Sequence, residues 1–189
     1  MKHLVIRPAT LADAAALLSI YAPHVTHTAV SFEESLPSVE EFASRMHKTI
    51  ADGFPYLVAE SDGEIVGYSY ASHLNSRSAW RYTVETTIYV KTDCHHCGVG
   101  KALVSALEEA LRWCGHYYCI ANIAYPRTPD DPHLTDASVR FHEALGYKKI
   151  AHFTCCGYKF GRWYDVVYME HHLADRPKTP APLRPFKKP

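Results

Sequence analysis

The fold is read from residues 83–103, TVETTIYVKTDCHHCGVGKAL. Its first part, with Tyr82 and Lys91 at its edges, is rich in β-branched and aromatic residues and predicts a central strand over 82–91. A short loop then reaches Gly98-Val99-Gly100-Lys101, and Val99, Leu103, Leu107 and Leu111 recur on one face of the following helix. A strand that empties into a glycine turn at a helix start offers unpaired backbone N–H groups and the positive end of a helix dipole. Both suit a pyrophosphate, and glycine lets the backbone approach it closely. Gly-x-Gly before a helix also suits an ordinary tight turn, so the rest of the chain must decide between the two.

Toward the N-terminus, YLVAES and EIVGYSYAS flank Asp62-Gly63, a strong hairpin signal. A helix from Ser38 to Ile50 has Val39, Phe42, Met46 and Ile50 at helical spacing, and Gly53 ends it. An earlier helix is expected to start at Thr10, with Asp13 three residues on, and to stop at Pro23. Residues 24–36 read as loop or a short helical piece, and HLVIR at 3–7 as a strand. Toward the C-terminus come a strand at 117–125, a loop at 126–136 with three prolines, and the helix ASVRFHEALGY. Two closing strands follow near 147–156 and 163–172. The order β-α-α-β-β-β-α-β-α-β-β predicts an α/β (α+β) domain: a mixed, mostly antiparallel sheet flanked by helices over residues 1–173.

The chain has 189 residues, 47% apolar and 21% charged, which fits one globular domain. Residues 174–189 hold five prolines, five Lys/Arg and one Asp, and are expected to be a flexible basic tail. The net charge is zero, so the body carries −4 against the tail's +4, which argues against nucleic acid as the main ligand. No apolar run approaches a membrane span and the start lacks a signal-peptide pattern, so a cytoplasmic enzyme with no membrane partner is expected. The six cysteines then read as thiols.

The strand–turn–helix at 83–103 resembles the acetyl-coenzyme A motif of the GNAT N-acetyltransferase superfamily. VSFEESLPSVEEFASRM, YLVAESDGEIVGYSYAS, RYTVETTIYV, ASVRFHEALGY and KFGRWYDVVYME are similar to segments of its phosphinothricin and methionine sulfoximine N-acetyltransferases, over nearly all of residues 3–173. The resemblance implies the GNAT acyltransferase fold, acetyl-CoA as cosubstrate and no metal. It also implies a homodimer and direct attack by a small amino-acid-like amine in a ternary complex. It implies Glu85 as general base, because a mostly protonated amine must lose a proton before it attacks. His142 stands where many superfamily members have Tyr near the leaving sulfur, as acid or assisting base. Ile88, Tyr89 and Val90 would polarise the thioester carbonyl. His95, His96, Cys97, Gly98, Val99, Gly100, Lys101, Thr135 and Ser138 would hold the cofactor. Arg77 would clamp the substrate's acid group, with Phe32, Trp80 and Tyr82 as aromatic walls that equally suit ordinary packing. Lys159 to Trp163 matches a family segment placed near the subunit interface or the site.

Two departures stand out. His95 occupies the family's Arg/Gln position, so coenzyme A is expected to bind more weakly above neutral pH. The 126–136 loop is longer than the short Pro-Asn-x-x-Ser segment of relatives, which puts the cofactor contact near Thr135 in question. Other readings remain open on residues alone. Cys94-His95-His96-Cys97 offers metal ligands, but four consecutive residues fit one tetrahedral ion poorly. A cysteine acyl carrier, a non-catalytic acetyl-CoA-binding protein, and an acetyltransferase for another amine or a peptide are the remaining alternatives.

Overall fold

A computed structural model describes residues 4–187. Seven strands form one sheet in the order β1-β2-β3-β4-β5-β7-β6: β1 (Leu4–Pro8), β2 (Tyr56–Ser61), β3 (Glu64–His73), β4 (Thr83–Val90), β5 (Tyr118–Tyr125), β6 (Lys148–Lys159) and β7 (Arg162–His172). Every neighbouring pair is antiparallel except β4 and β5. The mixed, mostly antiparallel sheet expected from the sequence is therefore present. Asp62 and Gly63 both adopt positive φ, at 52° and 81°, as a two-residue hairpin turn requires.

Helices α1 (Ala14–Thr26) and α2 (Val39–Ala51) cover one face, burying Leu17, Val25 and Met46 against Val58 and Tyr68. Helices α3 (Val99–Cys114) and α4 (Ala137–Ala144) cover the other, where Leu103, Leu107 and Leu111 pack on Ala71, Val84, Ala121 and Val167. Each fully buried leucine contributes about 1.5–3 kcal/mol of apolar burial. Helix α1 runs three residues past Pro23, the expected stop. Proline removes only its own N–H, and the His27 N–H still bonds the Pro23 carbonyl at 3.0 Å. Ser38 caps α2 by accepting from the Glu41 N–H.

A polar network ties α3 to the sheet. Tyr147 donates to Glu108 Oε1 at 3.1 Å, His171 Nδ1 donates to the same oxygen at 2.8 Å, and the Cys119 thiol lies 3.4 Å from the Tyr147 hydroxyl. Among the described residues this is the one group of three metal-type side chains, and its donors and acceptors are satisfied by one another. Burial pushes the Cys119 thiol up to about 12, so it holds its proton.

The tail expected to be flexible lies against the body over its described part. The Arg184 N–H bonds the Cys114 carbonyl (2.9 Å) and the Phe186 N–H bonds the Gly53 carbonyl (2.8 Å). Arg184 covers the Trp113 ring, and half-buried Phe186 packs on the α3 core.

Candidate active site

The site grows from a gap in the sheet. β4 and β5 pair only from Thr83↔Tyr118 to Thr86↔Ala121, and both strands then run on unpaired with each other, to Val90 and Tyr125. In β4 the backbone groups of successive residues point to alternate sides. The Lys91 N–H bonds the Val66 carbonyl, which puts the backbone groups of Tyr89 and Thr87 toward β3. Those of Ile88 and Val90 therefore face the gap, where no strand takes them. Tyr89 is corrected on this point: its backbone belongs to the sheet and its ring packs edge-on against Tyr21 (5.0 Å) under α1.

The glycine turn closes the same end of the gap. Gly98 caps α3 at φ 83°, a left-handed conformation that a side chain resists. A Cβ on Gly100 would stand 3.1 Å from the Phe141 ring of α4, so a larger residue there would fill the space between the two helices. Val99 is buried in the core and fixes the first turn. His95, His96, Cys97 and Lys101 are exposed around it. His95 Nε2 donates to the Val90 carbonyl at 3.2 Å, which sets the imidazole at the mouth of the gap. A free strand edge, a helix N-terminus and a side-chain-free turn together fit a chain of amides ending in pyrophosphate, as coenzyme A provides.

Glu85 lies two pairing positions below the unpaired stretch, with its side chain on the face opposite α3. Burial pushes its carboxyl above the ordinary glutamate range, and no cation pairs with it among the described residues. Its charge is felt by the hydroxyls of Tyr70 and Tyr168. Tyr168 lies on β7 opposite Asn122, two positions along from the residue level with Glu85, and was not singled out in the sequence. The period-two alternation of β7 would have found its face, but not its partner strand.

His142 is 4% exposed, and its Nδ1 donates to the Ser138 carbonyl at 2.7 Å. Burial pushes it below the ordinary histidine range, so the ring is neutral at pH 7 with a bare Nε2. Such a ring accepts a proton; it has none to give at Nε2 until one arrives. Ser138 thus positions His142 through its backbone. Exposed Thr135 accepts from the Ala137 N–H (3.3 Å) just before α4, whose N-cap is Asp136.

The aromatic and basic residues expected at the substrate divide. Phe32, in the loop between α1 and α2, lies 6.2 Å from the Tyr164 ring and packs with Ala124 on the Glu85 face of β5. Arg77 and Trp80 are exposed beyond the end of β3, and Arg77 makes no ion pair among the described residues. Tyr82 is not brought to this face. Three residues from Glu85, it points to the other side of the strand, where its hydroxyl donates to the Ala181 carbonyl of the tail at 3.2 Å.

A mixed sheet opened between its parallel pair, with a glycine-turn helix at the opening and a buried carboxylate beside it, defines an acyl-coenzyme A-dependent transferase. Residues 6–168 match the family described as acetyltransferase (GNAT) domain, and the chain belongs to that family. A phosphinothricin N-acetyltransferase of Alcaligenes faecalis is 38% identical over 161 residues, covering 85% of this chain and 78% of that protein. An L-methionine sulfoximine/L-methionine sulfone acetyltransferase of Salmonella typhimurium is 32% identical, covering 90% of this chain and 95% of that protein. A phosphinothricin acetyltransferase from Sinorhizobium meliloti, solved in complex with acetyl-CoA, superposes with a TM-score of 0.84 at 33% identity, covering 94% of this chain and 93% of that one. The expected fold, enzyme class and cosubstrate stand on these likenesses.

Proposed function

We propose that this chain transfers the acetyl group of acetyl-CoA to the amine of a small amino-acid-like substrate of the phosphinothricin or methionine sulfoximine type, by direct attack in a ternary complex. The observation that carries this reading is on one strand. β4 presents Glu85 on its open face and, about 10 Å further along at Ile88 and about 17 Å at Val90, backbone N–H groups that face the gap. Acetyl-CoA supplies the activated acetyl group. Glu85 takes the proton from the acceptor ammonium, directly or through water, and burial matches its basicity to that task better than an exposed carboxylate would. The Ile88 and Val90 N–H groups stand ready for a developing oxyanion. Neutral His142 is a base or a relay at pH 7. Arg77, with an unpaired guanidinium, suits the acidic end of the acceptor.

The same reading takes residues 1–173 as the catalytic unit, in the cytoplasm; no helix of the described residues is long and apolar enough to cross a membrane. It also takes the enzyme as a homodimer. β6 is an edge strand that exposes Ile150, Phe153 and Tyr158, with Trp163 of β7 beside them, an apolar edge that needs a cover.

The test is thiol release from acetyl-CoA with phosphinothricin, methionine sulfoximine, the standard amino acids and a set of polyamines. Turnover confined to glutamate-like amines is expected. Turnover only with polyamines would discard the substrate class, and tight acetyl-CoA binding without any turnover would discard the enzyme reading.

A further inference from the structure

We propose that Lys159 is a positioning residue for the acceptor: from the β6–β7 hairpin its buried ammonium fastens the 27–34 loop, and so holds the Phe32 ring over the Glu85 face of β5. This rests on the reading above that the amine binds on that face.

Lys159 is 4% exposed, and its Nζ donates to the Ser31 carbonyl at 2.6 Å and the Thr28 carbonyl at 3.1 Å. No carboxylate pairs with it among the described residues; Glu33 and Glu34 act only at longer range. Burying an ammonium against two neutral carbonyls is costly, and a staple for stability alone is made more cheaply by apolar packing. What the ammonium supplies is geometry. Two carbonyls three residues apart converge on one nitrogen only when the loop is folded in this way. A second contact on the same hairpin acts on the same ring. A Cβ on Gly157 would lie 2.2 Å from Phe32 Cε2, so the Phe32 ring rests directly on the glycine backbone. The loop is closed from its other side by the His133 carbonyl, which accepts from the Ala29 N–H (3.0 Å). None of these contacts involves residues 83–103, which face the cofactor. Loosening the loop should therefore weaken acceptor binding and leave acetyl-CoA binding alone.

The experiment uses Lys159→Met, which keeps the stem and removes the donors, Gly157→Ala, which displaces Phe32 without touching Lys159, and the double variant. Each single change is expected to raise KM for the amine about tenfold while KM for acetyl-CoA stays within about twofold. The double variant should be no worse than the worse single one, because both release one loop. Backbone hydrogen exchange of residues 28–33 should quicken in Lys159→Met with α3 unchanged. Parallel rises in both KM values, multiplying effects in the double variant, or unchanged exchange of the loop would each overturn the proposal. If Lys159→Met fails to fold, Gly157→Ala carries the kinetic test alone. A wild-type enzyme that acetylates no amine overturns the functional reading instead, and exchange still decides whether Lys159 holds the loop.

Discussion

In the proposed function, the cofactor side and the acceptor side of the site are built in opposite ways. The first is made almost wholly of residues 83–103: a strand, a turn and a helix start that are consecutive in the chain. The second joins the 27–34 loop, the 126–136 loop and the β6–β7 hairpin through contacts such as Lys159 to Thr28, which are 131 residues apart. A local element can be kept intact as a unit while the distant segments around it change. That arrangement makes the two sides separable by mutation.

The sharpest break should come at the residue between them. Glu85→Gln keeps the shape and removes the proposed base, so kcat should fall about 10²–10⁴-fold while calorimetry shows acetyl-CoA binding unchanged. An unchanged kcat would remove the base assignment. Next, Gly100→Val puts branched carbon atoms where even a Cβ meets Phe141 at 3.1 Å. KM for acetyl-CoA should rise about tenfold and KM for the amine should not, the mirror image of the Lys159 variants. If the amine KM rises as much, the two sides are not separable.

A pH profile sharpens the comparison further. Burial raises the Glu85 carboxyl, so its base form is lost at a higher pH than for an exposed glutamate. The acidic limb of kcat/KM should fall as pH drops through that raised value, and acetyl-CoA affinity should not follow it. The limb should vanish in Glu85→Gln. The smallest effect lies far from both sides. Ending the chain after Thr179 removes the Tyr82–Ala181, Arg184–Cys114 and Phe186–Gly53 contacts. At about 0.5 kcal/mol for each of these surface bonds, the melting temperature should drop about 3–6 °C with both KM values unchanged.

How much was legible follows the same division. The Asp62-Gly63 hairpin, the Ser38 cap and the leucine face of α3 are properties of a few adjacent residues and were readable as such. Period-two alternation already separates Ile88 and Val90 from Tyr89, and Glu85 from Tyr82. Resemblance to relatives had grouped them, and the observed pairing with β3 separates them. The Pro23 stop failed because one lost N–H is a smaller cost than the packing of Val25, which carries α1 onward. Docking of the tail was not readable. Proline and lysine content describes a chain segment's own preferences and is silent on a groove formed by Gly53, Cys114 and Trp113.

By itself, then, the sequence determined the strand–turn–helix proposed to hold acetyl-CoA, because the hydrogen bonds and φ angles that shape it close over a few residues. It also determined Glu85's place on that strand. Only the tertiary structure decided that β4 and β5 part after Thr86, that Tyr168 comes to share the field of Glu85, and that Lys159 reaches the carbonyls of Thr28 and Ser31. Those depend on which strands pair and how far. That choice is made by the burial of both sheet faces at once, which no local stretch of sequence contains.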